Sequence, residues 1–183
     1  MITSNIDIIK AAGRIIVRSG IPGLTMETLK QEPEIFGKRL PKEIENESKL
    51  FELLLLEFEL EISVLVTAIT KQKTAPDEEI SLIFKGLYKL FKHNHWYLDL
   101  AFDPDVLLRC AKAEDIIFRI KRLAKSYLNR LIQRGKKEDI FAITESTPVL
   151  VNEILEGFRA LINDWQLADK MIKDIQYVQP AKD

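Results

Sequence analysis

Leu24-Thr25-Met26-Glu27-Thr28-Leu29, followed by Ile35, Leu40 and Ile44 and then by Ser48-Lys49-Leu50-Phe51, is the stretch whose reading decides the fold. Thr25 stands where a helix cap belongs, and Pro33 ends the short helix that it opens. The apolar residues that follow are spaced for a second short element, and Leu50 opens a long apolar stripe. The order is short helix, turn, short element, long helix, the outline of a helix-turn-helix. Pro41 interrupts it. A ring in place of the N–H removes a backbone bond and disfavours a helical residue before it. The reading therefore predicts a shortened helix ending at Leu40, with a kink or break on the path to Lys42.

Working outward, Ile2, Ile6, Ile9, Gly13 and Ile16 recur at spacings of four and three, which predicts an amphipathic helix over residues 4 to 19. Ser4 with Asp7 supplies its cap and Gly20 its stop. From Glu47 to about Lys73 runs a long helix with Leu50, Leu54, Phe58, Ile62, Leu65 and Ile69 on one face and no internal Gly or Pro. Pro76 with Asp77, Glu78 and Glu79 reads as a helix start, because acids suit the first turn. Asp103-Pro104 and Thr147-Pro148 repeat the cap-then-proline signature. Ile116 through Ile132 mark another long helix, which Gly135 closes. No segment alternates with period two, so the expectation is an all-helical protein of about nine helices, fraying at Gln179-Pro180-Ala181-Lys182-Asp183.

The chain has 183 residues, 46% hydrophobic and 30% charged, which is globular composition. With 27 basic against 28 acidic side chains, any footprint for a polyanion has to be local. Cys110 is the one cysteine, so no intramolecular disulfide or cysteine-based zinc site forms, and it reads as a small core residue. The apolar run Leu53-Leu54-Leu55-Leu56 is cut by Glu52 and Glu57, far short of a membrane span, and no leader pattern opens the chain. The reading predicts a soluble, cytoplasmic protein.

These residues, taken in order, resemble the TetR/AcrR family of bacterial regulators. The match starts with Ile9, Ala12, Ile15-Ile16 and Gly20, continues with Thr25 and Leu29, and reaches Ser48-Lys49 before Leu50-Phe51. Gly135, Ile140-Phe141, Pro148-Val149-Leu150-Val151 and Ile154 to Leu161 around Gly157 resemble the family's final, dimer-forming helix. The resemblance implies an all-α, TetR-like fold: a three-helix helix-turn-helix DNA-binding domain over residues 1–46, then a helical ligand-binding and dimerisation domain over 47–178. It departs from the family in one place. Glu34-Ile35-Phe36 stands where the family has Gly-Val-Ser in the turn, and Pro41 stands at its recognition-helix tyrosine.

The resemblance implies a homodimeric transcriptional regulator that binds DNA and answers to a small, hydrophobic effector. DNA contact falls to Thr25, Lys38, Arg39, Lys42 and Lys49. The effector pocket falls to Phe58, Ile62, Phe84, Trp96, Phe102 and Tyr127, an aromatic-rich region that reads equally as plain core. The dimer interface falls to Leu150, Ile154, Phe158, Leu161 and Trp165, part of a stripe too wide for one core contact. A second reading stays open, a TetR-like dimeric sensor or scaffold that has lost sequence-specific DNA binding. Residues 43 to 61 favour it, since Glu43, Glu45, Glu47, Glu52, Glu57, Glu59 and Glu61 face only Lys49 there.

The helix from 113 to 137 carries eight cations against Glu114 and Asp115, and reads as a solvated face that complements the acidic run. His93 and His95, two apart, do not share a helix face, so no metal site is expected and no cofactor. No Gly-x-Ser-x-Gly, phosphate-cradling glycine loop or His-Glu-x-x-His occurs, and the chain is not expected to be an enzyme.

Overall fold

Ser4 and Thr25 both cap helices, as their positions predict. The Ser4 hydroxyl accepts from the Asp7 N–H at 3.2 Å, opening α1 (Asn5–Gly23). Thr25 Oγ1 accepts from the Thr28 N–H at 3.1 Å and opens α2 (Met26–Gln31). The computed structural model describes residues 2–141 and 146–163, with side chains through residue 157. Further elements are α3 (Glu47–Thr70), α4 (Pro76–His93), α5 (Trp96–Phe102), α6 (Pro104–Arg109), α7 (Ala113–Lys137) and α8 (Thr147–Asn163). Among the described residues there are thus eight helices and no strand, only an isolated bridge between Ile2 and Arg39. No helix there is long and apolar enough to cross a membrane.

Gly20, at φ +68 and ψ −178, ends the regular helix where the sequence places its stop, and a separate short turn then runs through Pro22 to Gly23. Other boundaries correct the sequence reading. Gly135 lies inside α7, not at its end. A Cβ there would sit 2.1 Å from the Phe141 ring, so this glycine serves close packing, and Asp139 at φ +55 makes the turn instead. The short α5 went unpredicted, since its seven residues are too few for a periodic signature. Above all, residues 32–46 form no helix, although a short one ending at Leu40 was expected.

The chain folds as two compact units. One comprises Met1–Ile62 and Phe91–Lys121, the other Ser63–Leu90 and Arg122–Asp183. In the first, α1 buries Ile8, Ala12, Ile15 and Ile16, and α3 buries Leu50, Phe51, Leu54 and Leu55. Each of the Ile, Leu and Phe side chains among them stabilises the fold by about 1.5–3 kcal/mol relative to exposure. In the second, Val66 and Ile69 of α3, Ile83 of α4 and Leu128, Leu131 and Ile132 of α7 are buried. Gly86 of α4 lets Leu65 of α3 approach, since a Cβ would meet Leu65 Cδ1 at 2.5 Å.

Candidate functional site

The element expected to read DNA is a loop held from both ends. Pro33 fixes an extended Glu32, at φ −65 and ψ 137, which stops α2. The Glu32 carbonyl then accepts from the N–H groups of Ile35 at 2.9 Å and Phe36 at 2.8 Å, and Gly37 takes φ +72. The Thr3 N–H donates to the Arg39 carbonyl at 2.9 Å, drawing the loop back to the N-terminus. Pro41 lacks the donor a helix would need at this point. Two of the three expected anchors, Ile35 and Ile44, are buried, and Leu40 is half-buried. The hydrophobic footing of the helix-turn-helix is in place without its second helix.

Charge divides the head into a neutralised part and an open part. Glu32 is buried and accepts from Arg14 Nη2 at 3.2 Å and Arg18 Nη2 at 3.0 Å. Glu34 also binds Arg14, which accounts for the carboxylate at the family's turn glycine. Lys49 donates to Glu52 at 3.0 Å, and Thr25 is occupied as a cap. Glu52 also receives Lys112 at 2.6 Å, and these hydrogen bonds, Lys112 first, hold its carboxyl below the usual value. Lys38 is half-buried, Arg39 and Lys42 are exposed, and among the described residues none of the three meets a carboxylate. The loop Phe36-Gly37-Lys38-Arg39-Leu40-Pro41-Lys42 therefore offers three cations and no acid.

The residues assigned to an effector pocket fall into two groups. In the first unit Phe58 stacks on Tyr97, ring centroids 4.6 Å apart, and meets Phe91 edge-on at 5.9 Å. The Trp96 ring lies 4.2 Å from that of Tyr97, tilted by 49°. Ile62 is buried in this unit, whereas Phe102, at the end of α5, is 49% exposed. Phe84, half-buried, and Tyr127, buried, belong to the second unit. Tyr127 donates its hydroxyl proton to Glu79 at 3.0 Å.

Sequence reading missed the polar end of the aromatic row. Tyr97, fully buried, hydrogen-bonds Glu61, which Asn94 Nδ2 approaches to 3.5 Å. Burial, reinforced by the neighbouring Glu57, raises the Glu61 carboxyl above its ordinary value of 4.5, the bonds from Tyr97 and Asn94 opposing it. The signal was present in Glu57 and Glu61, four apart and interleaved with the core positions Phe58 and Ile62. Because the folded-state value is raised, the associated stability is fully present below the unfolded value and is lost as pH rises through the folded one. Glu61→Gln, which mimics the protonated acid, is expected to raise the melting temperature at neutral pH, with the gain fading as the pH falls towards 4.5. Melts across that range check it; a gain that grows on acidification would be the wrong sign.

In α8, Leu150 and Ile154 are half-buried. The side chains of Phe158 and Leu161, and Trp165 altogether, lie outside the described residues. Of the eight α7 cations, Arg119 meets the acidic run, gripping Glu59 with two bonds at 2.7 and 2.6 Å.

No protein-family model and no curated protein matches this sequence. Among solved structures, the fatty acid degradation regulator FadR from Bacillus halodurans superposes with a TM-score of 0.64 at 18% identity, covering 94% of this chain and 86% of that one. The chain has an all-α, TetR-like fold.

Proposed function

We propose that this protein is a homodimeric transcriptional regulator of the TetR type. The observation that carries the reading is an N-terminal segment that keeps Ile35 and Ile44 buried below a cationic loop, in a fold shared with a regulator over 94% of the chain. Residues 1–46 contact DNA, and 47–178 bind the effector and pair the subunits. Lys38, Arg39 and Lys42 meet phosphates, with Thr25 and Lys49 flanking. Within the first unit, Phe58, Ile62, Trp96 and Phe102 receive a small apolar ligand. FadR is a regulator of fatty acid degradation, so a fatty acid is the first effector to try. An unbroken α3, without Gly or Pro, is suited to carry a pivot from pocket to head. The coupling is bounded by the ligand's differential affinity, typically about 1–3 kcal/mol.

The non-helical loop favours a second reading, a dimeric sensor or scaffold without sequence-specific DNA binding. A base-reading helix is missing from residues 32–46, and Glu43 and Glu45 follow the cations directly. Anisotropy titrations of labelled duplex at rising salt separate the two. Three phosphates neutralised per head contribute about −2.7 to the slope of log affinity against log salt. Reversing Lys38, Arg39 and Lys42 to Glu should abolish that binding. If the wild type fails to bind any duplex at about 50 mM salt, the sensor reading replaces the first. Sedimentation should meanwhile show a dimer at micromolar concentration, and Phe158→Glu should split it; a wild-type monomer would remove the two-headed geometry.

A further inference from the structure

Arg109, the last residue of α6, gathers two separate segments of the first unit, the α1–α2 corner and the start of α3, onto one guanidinium. Its Nη1 donates to the Ile21 carbonyl at 2.8 Å, and its Nη2 to the Leu24 carbonyl and to Glu47 Oε2 at 2.7 Å. The guanidinium carbon sits 4.8 Å from the centre of the Phe51 ring. Ile21 opens the short turn beyond the break at Gly20, and its carbonyl also accepts from the Leu24 N–H at 3.1 Å. Leu24 is the corner before α2, and Glu47 and Phe51 lie in the first turns of α3. A cation supplied by α6 thus braces the corner and pairs with the start of α3.

Within α6 itself few side chains hold the helix, although just beyond it the Ala111 N–H donates to Ser48 Oγ at 3.4 Å and Lys112 to Glu52 at 2.6 Å. The helix has six residues, and Val106 is its one buried side chain, while Leu107 is 51% and Leu108 84% exposed. We infer that Arg109 is a latch between α6 and the α1–α2 corner, a positioning residue with two states, seated and released. Its acceptors face one planar fork, so a shift of α6 by one bond length breaks the contacts together and not one by one. Seated, the α1–α2 corner and the start of α3 move with α6; released, the corner is free to reorient. The inference rests on the geometry of the first unit alone and stands or falls independently of DNA or effector binding.

Amide hydrogen exchange on the full chain tests it, read at Leu24 (bonded to Ile21), Leu29 (to Thr25) and Leu50 (to Asn46). Arg109→Ala should speed exchange at these sites about ten- to a hundredfold, the range for lost charge-assisted bonds. The Glu79 and Ile140 amides, in the second unit, should stay within about twofold of wild type, the scatter of unperturbed sites. Lys cannot span all the acceptors, so Arg109→Lys should fall between. Asp103 caps α6 by accepting from the Asp105 N–H at 2.9 Å. Asp103→Ala should therefore loosen Leu24 in the wild type yet add nothing in the Arg109→Ala background. Unchanged exchange at Leu24 and Leu29, equal loosening of both units, full rescue by Lys, or additive effects of the two substitutions would each overturn the latch. Should Arg109→Ala not fold, Arg109→Lys and Glu47→Gln carry the same comparison, with Asp103→Ala combined with Arg109→Lys.

Discussion

Gly13→Leu is expected to destabilise the protein by about 3 kcal/mol, the upper part of the usual range for overpacking a well-filled core. At roughly 2–4 °C per kcal/mol for a chain of this size, the melting temperature should fall by about 6–12 °C. Gly13 sits mid-helix in α1, where glycine normally costs about 1 kcal/mol against alanine, so the position has a reason to keep it. A Cβ there would lie 2.6 Å from Trp96 Nε1 and 2.8 Å from Cε2, inside any real contact. The indole cannot simply yield. It rests 4.2 Å from Tyr97, which is stacked on Phe58, which in turn meets Phe91, so displacing the first ring disturbs the row. Gly13→Ala sets the opposing effects against each other, about 1 kcal/mol of helix propensity gained and about 1–3 lost to overpacking, for a modest net loss. In a Trp96→Ala background, which lacks the clashing ring, the Gly13→Leu loss should be smaller. A Gly13→Leu variant melting at or above the wild type would show that α1 and α5 have room between them, contrary to this packing.

That contact marks where sequence legibility ends. Period and cap read correctly because they are local: Ser4, Thr25, Pro76 and Asp103 open helices for reasons carried by the next few residues. Gly13 entered the sequence reading as one more position on an apolar stripe, and its partner lies on a helix too short to be foreseen. Pro41 was read in the right direction but with too little weight. Combined with Pro33 and the positive φ of Gly37, it removes the helix instead of shortening it. The candidate site was legible only in part. The cationic loop is plain in sequence, but the pairing of Arg14 with Glu32 and Glu34 that leaves it as the open charge of the head depends on contacts 18 and 20 residues apart. Arg109, with bonds spanning 62 to 88 residues, gave no sequence signal at all.

Glu79→Ala is expected to lower stability by about 3 kcal/mol, within the range for removing one partner of a buried charged network and trimmed for the partial exposure of its arginine. Glu79 lies in the first turn of α4, its side chain 3% exposed. It accepts from the Tyr127 hydroxyl at 3.0 Å and from Arg134 Nη2, two residues that stand seven apart on α7 and so share a face. Arg134 also donates to the Thr74 carbonyl at 3.1 Å, which ties the chain just before α4 to the same helix. Burial first, then the adjoining carboxylate, pushes the Tyr127 phenol well above its ordinary range, so it stays a proton donor at any working pH. Removing the carboxylate strands that buried donor and leaves the guanidinium with a carbonyl and the more exposed Glu138, 4.0 Å away. Tyr127→Phe alone should cost only about 1 kcal/mol, since it deletes one neutral donor and strands part of one carboxylate. The double variant should lose less than the sum of the two single losses, because the hydroxyl no longer needs an acceptor. Melting curves of the four proteins decide it: Glu79→Ala within about 2 °C of wild type, less than 1 kcal/mol for a chain of this length, would mean the network is incidental to the packing of α4 on α7.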